Sequence, residues 1–248
     1  MQTAKARSNA NEGSVDDPNE AALLSDAALG ALREDILSGE LPPNTRLRMA
    51  MLHKRYNIGA SPLREALSRL VADNLVVALQ RRGFAVAPVS LDDFRDLTNL
   101  RKLLEKEALV LSLQNGDDKW EAGVVAAYHQ LNRVQGRLEP NNPEGFNEWE
   151  ALNQAFHDAL VAACGSVWLL RARNTAYICS ERYRRICLSI KSISRDVRAE
   201  HEELLNAALA RDVEAIKWLI SKHLEATYQK VLESGRLDNG PYRAPLRS

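Results

Sequence analysis

Four polar side chains in the second half of the chain have the types and spacing of metal ligands. Asn153 and His157 stand four residues apart, so on a helix both point from one face. His201 and His223 follow at apolar-facing positions of separate predicted helices. Imidazoles that converge inside a helical bundle can hold a divalent ion such as Zn²⁺, Ni²⁺ or Mn²⁺. Alternatively, each histidine is an ordinary core residue with its own hydrogen-bond partner and binds no metal. The spacing by itself favours this second interpretation.

Charge is distributed unevenly along a chain that carries no net charge, with 33 basic and 33 acidic residues. Between residues 46 and 82, eight basic side chains stand against two acidic ones, a net charge of +6. Residues 90–235 carry a net charge of −3. A basic segment joined to a slightly acidic one indicates that only the first meets a polyanion. A solvated basic face without a partner fits the charge count equally well.

The basic segment has the order of elements found in a winged helix-turn-helix. Two short helices joined by a tight turn follow a first helix, and a hairpin comes after them. On the third helix, Arg64 can bind guanine or a phosphate, and Ser61 can bind a phosphate. Two arginines before a glycine at the hairpin tip can enter the minor groove. The predicted DNA-binding residues are Arg48, Ser61, Arg64, Ser68, Arg81, Arg82 and Gly83.

The elements that must position these residues are mainly helical. Hydrophobic residues make up 45% of the 248-residue chain and aromatic residues only 6%, and apolar residues recur every three or four positions. No apolar run approaches the roughly 18 residues of a membrane span, and the polar start lacks the apolar stretch of a secretory signal. Three cysteines without Cys-x-x-Cys spacing do not predict a disulfide scaffold. We therefore expect a cytoplasmic protein that does not contact a membrane.

The predicted fold is mainly α, with a winged helix-turn-helix joined to an all-helical effector bundle. Ser61 is expected to cap the third helix and Pro62 to occupy its first position. Ser90 and Asp93 have the spacing of a capping box at the start of the bundle. The predicted segments are a disordered tail at 1–22, a DNA-binding domain of three helices and a β-hairpin at 23–89, a helical ligand-binding domain at 90–235 and a C-terminal tail at 236–248.

The basic segment resembles the N-terminal domain of the GntR family of transcription regulators. The runs that carry the resemblance are Ile36–Gly39, Ser61–Leu70 and Arg81–Val86, and the match covers nearly all of residues 23–89. The resemblance implies binding to operator DNA. The family usually has Ser-Arg-Thr-Pro where this chain has Gly-Ala-Ser-Pro, so Ala60 replaces the arginine that commonly contacts bases. The operator sequence is therefore left open.

The later helices resemble the all-helical FCD effector domain of the FadR subfamily, at Leu100–Glu105, Asn153–His157, Glu200–His201 and His223. In that domain an Asp or Asn and three histidines bind a metal, and a small carboxylate completes the coordination. The resemblance thus implies one divalent ion held by Asn153, His157, His201 and His223. Many members have Asp at the first of these positions, so the amide in this chain removes one negative charge and lowers the expected metal affinity.

Arg101 matches the conserved arginine of the first effector helix, and its guanidinium can clamp a ligand carboxylate through two hydrogen bonds. An ion pair with Glu105, four residues on, is the alternative role. The segments Gly59–Arg64 and Ala163–Ser166 resemble a narrower branch that includes a glutarate-responsive repressor of carbon-starvation genes. That branch implies a short dicarboxylate or hydroxy acid as effector.

Three classes of function follow from these observations. The leading hypothesis is a ligand-responsive transcriptional repressor that binds a pseudo-palindromic operator as a homodimer. A metal-dependent hydrolase would need an acid or base beside an open metal position, which Glu200 or Glu202 could supply. No His-Glu-x-x-His or nucleophile motif supports that enzyme, and it leaves the basic segment without a role. A helical interaction protein with a structural histidine cluster is the third class.

Overall fold

Helices form most of the computed structural model, which describes residues 18–80, 82–135, 143–188 and 196–237. The chain divides into two compact units. The first, which we call the N-terminal unit, runs to Val86 apart from Leu37–Gly39. The second, the helical unit, begins at Ala87 and includes those three residues. This mainly α architecture with a small sheet in the first unit is the predicted fold class.

The N-terminal unit consists of three helices and a three-stranded antiparallel sheet. Its strand order is β1-β3-β2, so the hairpin predicted from the sequence gains a two-residue third strand. Leu32, Leu52, Leu63, Leu67 and Leu70 are fully buried and hold the three helices together. The elements are α1 (Pro18–Ser38), β1 (Arg46–Leu47), α2 (Met49–Tyr56), α3 (Ala60–Ala72), β2 (Val76–Leu79) and β3 (Gly83–Val86).

Two helix starts differ from the sequence-based expectation. Residues 18–22, assigned above to the tail, belong to α1, because a proline suits the first helical position and Glu20 interacts favourably with the helix dipole. Gly59, not Ser61, is the N-cap of α3. Its extended backbone makes the turn without a side-chain cap, so the helix starts at Ala60. The rest of the predicted N-terminal tail, and most of the C-terminal one, lies outside the described residues.

The helical unit contains six helices among the residues that the structure describes. Side chains of Ser90, Asp196 and Asp212 cap three of them by accepting a backbone N–H from the third residue of the helix. Only half of the predicted capping box forms. The Ser90 hydroxyl accepts the backbone N–H of Asp93, but the Asp93 carboxylate accepts a hydrogen bond from the hydroxyl of Tyr183 and so does not serve as the second half of the box. The helices are α4 (Leu91–Asn115), α5 (Asp118–Gln135), α6 (Pro143–Leu160), α7 (Val167–Leu188), α8 (Val197–Leu209) and α9 (Val213–Glu233).

Two apolar clusters fix these helices relative to one another. The larger contains Trp120 and Trp149 together with aliphatic side chains from α4, α5, α6, α8 and α9. In the smaller, Phe94 of α4 stacks on Tyr183 of α7, with ring centroids 4.2 Å apart. No described helix combines the length and the apolar character needed to cross a membrane. The clusters thereby position α4, α6, α8 and α9, the helices that carry the predicted metal- and effector-binding residues.

Candidate functional site

A basic cleft of about 530 Å³ opens on the N-terminal unit between α3, the start of α2 and the hairpin. Four arginines contribute to its wall, and all four are exposed. Among the described residues none of the four forms an ion pair, whereas Arg33, Arg55 and Arg69 elsewhere in the unit pair with aspartates. The lining residues are Arg46, Leu47, Arg48, Met49, Arg64, Ser68, Arg82, Gly83 and Phe84.

Most of the predicted DNA-binding residues line this cleft. Ser61 does not line it and is exposed in the first turn of α3. Arg81 lies outside the described residues. The Ser68 hydroxyl donates to the backbone carbonyl of Arg64, 2.9 Å away, so it helps to hold the turn that carries that arginine. Gly83 has a φ of +89°, a conformation that favours glycine and lets the hairpin turn directly after its basic tip.

Arg46 is a cleft residue that the sequence-based set omitted. It lies on β1, whose pairing with β3 turns its exposed side chain toward the same opening as Arg48 and Arg82. A two-residue strand gives no periodic signal, but the residue does belong to the +6 segment. Unpaired guanidiniums around a cleft of this size can bind phosphate oxygens or guanine edges, which are the groups that a DNA duplex presents.

Three histidines meet in the interior of the helical unit. His157 of α6, His201 of α8 and His223 of α9 each offer a ring nitrogen, and these nitrogens all lie within 4.8 Å of one another. The ring centroids are 5.1–5.4 Å apart. All three residues are buried, with exposed fractions of 2%, 0% and 9%. The packing of α6, α8 and α9 thus converges three imidazoles on one point, as a metal site requires.

Two neighbouring side chains orient the imidazole rings. The Nδ1 atom of His223 lies 2.7 Å from a carboxylate oxygen of Glu200, and the Nδ1 atom of His201 lies 2.6 Å from the side-chain amide of Gln135. On His223 the carboxylate accepts the proton of Nδ1, which leaves the Nε2 lone pair for a ligand. On His201 the amide nitrogen donates to Nδ1, and only the flipped amide, with its oxygen toward Nδ1–H, would leave Nε2 for a ligand in the same way. Such outer hydrogen bonds fix the tautomer of metal-binding histidines. Glu202, the other acid considered for an enzyme, is exposed on α8.

Asn153 completes the predicted ligand set with an oxygen that has no hydrogen-bond partner among the described residues. Its amide nitrogen donates to the hydroxyl of Tyr177 at 2.9 Å, and its Oδ1 atom is buried. A buried carbonyl oxygen without a partner is costly unless a cation or donor meets it. Burial, and then the neighbouring His223 and His201, hold the pKa of His157 well below its ordinary value, so this ring is neutral and able to coordinate. The residues therefore fit a divalent ion.

Arg101 lies close to this cluster on α4, and its exposed fraction is 6%. Its guanidinium carbon is 5.0 Å from the centroid of the Tyr177 ring, which is itself 6.4 Å from the His157 ring. Its Nη atoms donate to Ser180 at 3.1 Å and to Glu105 at 3.2 Å, so the ion pair foreseen as the alternative role does form. Its Nε–H has no partner in the described part of the chain. Burial lowers the pKa of Arg101.

Two further arginines, Arg173 and Arg184, are buried beside Arg101, and no sequence pattern predicted them. Arg173 donates to the same Glu105 at 2.8 Å and also pairs with Asp158. Arg184 uses all of its guanidinium nitrogens, on Glu150, Ser180 and the backbone carbonyl of Tyr177. Burial alone would lower the pKa of Arg173 and of Arg184, but their partner carboxylates outweigh it, so both pKa values are raised. The pKa of Arg101, by contrast, is lowered. Arg101 is thus the least compensated of the three cations.

Comparison with known proteins gives matches over both units. Residues 24–86 match the gntR family of bacterial regulatory proteins, and residues 96–226 match the FCD domain. The chain is 43% identical to the uncharacterized HTH-type transcriptional regulator BphR of Paraburkholderia xenovorans, over 86% of this chain and 87% of that one. It is 37% identical to the HTH-type transcriptional repressor GlaR of Escherichia coli, over 78% of this chain and 89% of the relative.

Solved structures show the same similarity. A transcriptional regulator of the GntR family from Pseudomonas syringae is 30% identical and superposes with a TM-score of 0.50, covering 86% of each chain. The Escherichia coli protein McbR/YncC has a TM-score of 0.67 at 20% identity, covering 85% of this chain and 98% of the other. At that identity the second match supports the fold alone.

Proposed function

The chain belongs to the GntR family of bacterial regulatory proteins and carries an FCD domain, and from that premise we propose that it is a repressor controlled by a small carboxylate. It is a transcriptional regulator and not an enzyme, as are the relatives that it matches. The observation that carries the rest of the proposal is the buried triad of His157, His201 and His223 beside the partnerless Asn153 oxygen and Arg101.

Operator DNA binds in the basic cleft of the N-terminal unit. Arg48, Arg64 of α3 and Arg82 of the hairpin reach a groove or the phosphates beside it. Arg81, which precedes Arg82 in the sequence, is assigned the same role. Ser61 and Ser68 offer hydroxyls along α3, and Gly83 gives the tip its turn. A homodimer presents two such surfaces to a pseudo-palindromic operator in the cytoplasm.

One divalent ion is held in the helical unit by Asn153, His157, His201 and His223. Nitrogen donors with one neutral oxygen suit Zn²⁺, Ni²⁺ or Mn²⁺ better than Ca²⁺ or Mg²⁺, which prefer all-oxygen sites. When bound, the ion supplies a concentrated positive charge and open coordination positions for an anion. Neighbouring side chains of the protein orient these ligands. Glu200 and Gln135 orient the imidazoles of His223 and His201, and the Tyr177 hydroxyl accepts a hydrogen bond from the amide of Asn153.

The effector is a small carboxylate that meets the free Nε–H of Arg101 on one side and the metal site on the other. Arg101 belongs to α4, the first helix of the helical unit, whereas the histidines belong to α6, α8 and α9. A ligand between them ties early and late helices together. Binding changes the DNA affinity only to the extent that it favours one arrangement of the homodimer over another.

Two measurements on an operator isolated by in vitro selection test this proposal. Arg64→Ala should lose about 1–3 kcal/mol of operator selectivity if the side chain contacts a base, or overall affinity if it contacts a phosphate. Arg69→Ala on the same helix is the matched control, because that arginine pairs with Asp26. Joint substitution of Arg64, Arg81 and Arg82 that leaves operator binding intact would overturn the DNA-binding assignment.

The effector is sought with a thermal-shift screen of small carboxylates, with and without added Zn²⁺, Ni²⁺ or Mn²⁺. Arg101→Ala should retain the metal and lose the response to carboxylate. A carboxylate response that persists in metal-free protein would leave the effector site in place and remove the metal from it. No response from any carboxylate under either condition would overturn the effector assignment.

A further inference from the structure

The first turn of α3 presents small, uncharged side chains to solvent. Residues 57–63 contain no charged side chain, and the first cation of the helix is Arg64. Ala60, which begins the helix, is exposed, and so is Ser61. Beyond its chain neighbours, a Cβ atom at the N-cap Gly59 would meet only a ring carbon of Pro62, 3.9 Å away, among the described residues. Another molecule can therefore approach this turn closely.

The arginines available to DNA lie beside this turn, around the basic cleft. Arg46 comes from β1, Arg48 precedes α2, Arg64 comes from α3 and Arg82 from the hairpin. A guanine edge accepts the fork of one arginine, whereas successive phosphates attract several cations to one place. Four exposed guanidiniums around a cleft of about 530 Å³ thus suit the sugar-phosphate backbone. Contacts to phosphates position a protein on the duplex and carry no sequence information directly.

Base reading then falls to the part of α3 that precedes the cleft. Ala60, Arg64 and Ser68 stand at four-residue intervals, so they share one side of the helix. Arg64 and Ser68 line the cleft, whereas Ala60 does not. The shared side therefore continues past the cleft to the start of α3. In a helix-turn-helix, the N-terminal residues of the second helix of the motif meet base edges in the major groove.

The methyl group of Ala60 favours one base. This side chain neither donates nor accepts a hydrogen bond, so it gains nothing from the acceptors of a guanine edge. The apolar group that a base presents in the major groove is the C5-methyl of thymine, and alanine is one of the side chains that contact it. Two methyl groups in contact remove apolar surface from water, which stabilises the complex.

We propose that Ala60 is a specificity-determining residue of the DNA interface, and that its methyl group contacts the methyl group of a thymine in the operator. The inference rests on the proposed function and deepens it, because it names a base that the operator contains. The arginines of the cleft supply affinity for the backbone. The short side chain at the start of α3 supplies this part of the selectivity.

The test replaces each thymine of the operator isolated by in vitro selection with deoxyuridine, one at a time. Deoxyuridine lacks only the methyl group and pairs with adenine as thymine does. Fluorescence anisotropy should find one position in each half-site at which the replacement weakens binding of the full-length wild type about fourfold. Ala60→Gly should bind the original operator about fourfold more weakly and lose nothing further at that position. Such a double-mutant cycle assigns the effect to the two methyl groups.

Two further variants make the assignment specific. Ala72→Gly is the matched control, because it makes the same change at the exposed last residue of the same helix, about 18 Å from Ala60. This variant should keep the full deoxyuridine penalty. Selection with Ala60→Arg should yield guanine at the position in question, preferred over thymine by about tenfold or more. Circular dichroism verifies that each variant is folded.

The outcomes separate this inference from the function on which it rests. A wild type that binds every deoxyuridine operator as tightly as the original would overturn the inference and leave the DNA-binding assignment standing. An unchanged deoxyuridine penalty in Ala60→Gly would do the same, because the contact would then belong to another residue. Should Ala60→Gly not fold, the selection with Ala60→Arg decides, and retention of thymine there would contradict the inference. If selection yields no operator for the wild type, the proposed function itself fails.

Discussion

The two units use the same side chain, arginine, in opposite settings. Around the cleft of the N-terminal unit the arginines are exposed and have no acidic partner among the described residues. In the helical unit Arg101, Arg173 and Arg184 are buried, and each donates to a glutamate. Water solvates an exposed cation, so the arginine stays available to a polyanion without an acidic partner. A buried cation is not solvated and needs a carboxylate partner whenever the protein is folded.

This difference shows which part of the molecule can be altered without harm to the fold. Exposed arginines contribute to binding and little to stability, so their removal should change affinity alone. Buried arginines and glutamates contribute to both, because a charge that loses its partner destabilises the native state. Substitutions, metal removal and acid should therefore affect the two units differently, and most strongly where buried charge loses its partner.

Glu105→Ala should be the most damaging substitution. It removes the carboxylate that Arg101 and Arg173 share, and we expect the free energy of unfolding to fall by about 3–5 kcal/mol. Urea denaturation followed by circular dichroism measures the change. Glu203→Ala removes the partner of Lys222 from a half-exposed pair and should cost less than about 1 kcal/mol. Equal losses in the two variants would contradict the distinction between buried and exposed charge.

Removal of the metal should have the next largest effect. At a free metal concentration of 100 times the dissociation constant, the ion stabilises the native state by about 2.7 kcal/mol, so EDTA should lower the melting temperature of the wild type. His157→Ala should contain no metal by elemental analysis and show no response to EDTA. His129→Ala changes an exposed histidine of α5 and should retain about one equivalent per chain. If both variants keep their metal, the triad is not the site.

Acid should destabilise the metal-free helical unit in a way that follows from the burial of His157. Its pKa is lowered in the folded protein, whereas in the unfolded chain it is about 6.5. Stability is therefore full above about pH 6.5 and falls with decreasing pH, by at most about 1.4 kcal/mol per pH unit. Urea denaturation between pH 7.5 and 5.5 should show this loss, reduced in His157→Gln. An unchanged pH dependence in that variant would show that the buried ring is not its source.

The smallest effect is expected at the hairpin. Arg82→Gln should weaken operator binding modestly and reduce the slope of log affinity against log salt by about one. The free energy of unfolding should stay within about 0.5 kcal/mol of the wild type, since the side chain is exposed. Fluorescence anisotropy on labelled operator over a range of salt gives the slope. Arg33→Gln, which removes the partner of Asp73 in the same unit, should leave it unchanged.

The sequence predicted much of this architecture because its signals are local. Ser90 lies next to the helix that it caps, and α4 begins directly after it, as the spacing of Ser90 and Asp93 predicted. The histidines are rare, lie on separate helices and match a known motif, so their convergence was foreseeable. Strand β1 was missed because two residues have no periodicity and are held by a partner strand nearly 40 positions away.

The arginine network was missed for a different physical reason. Arg101 and Glu105, four residues apart, have the spacing of an ordinary ion pair on a helix surface. Only the packing of α4 on α7 buries that pair and adds Arg173 to it. Nothing in the spacing of Arg173 and Arg184 distinguishes a buried cation from an exposed one. Compensation of buried charge depends on tertiary contacts, and a helical pattern does not encode them.

The placement of the tryptophans has an optical consequence. All four of them belong to the helical unit: Trp120 and Trp149 are buried in its main core, whereas Trp168 and Trp218 are mostly exposed. The N-terminal unit contains none, and Tyr56 is part of its aromatic content. Intrinsic emission excited at 295 nm, where tyrosine hardly absorbs, therefore reports on one half of the chain alone. Quenching by iodide would act on the two exposed tryptophans and spare the two buried ones, so a single unlabelled sample yields separate spectra for the surface and the interior of the helical unit.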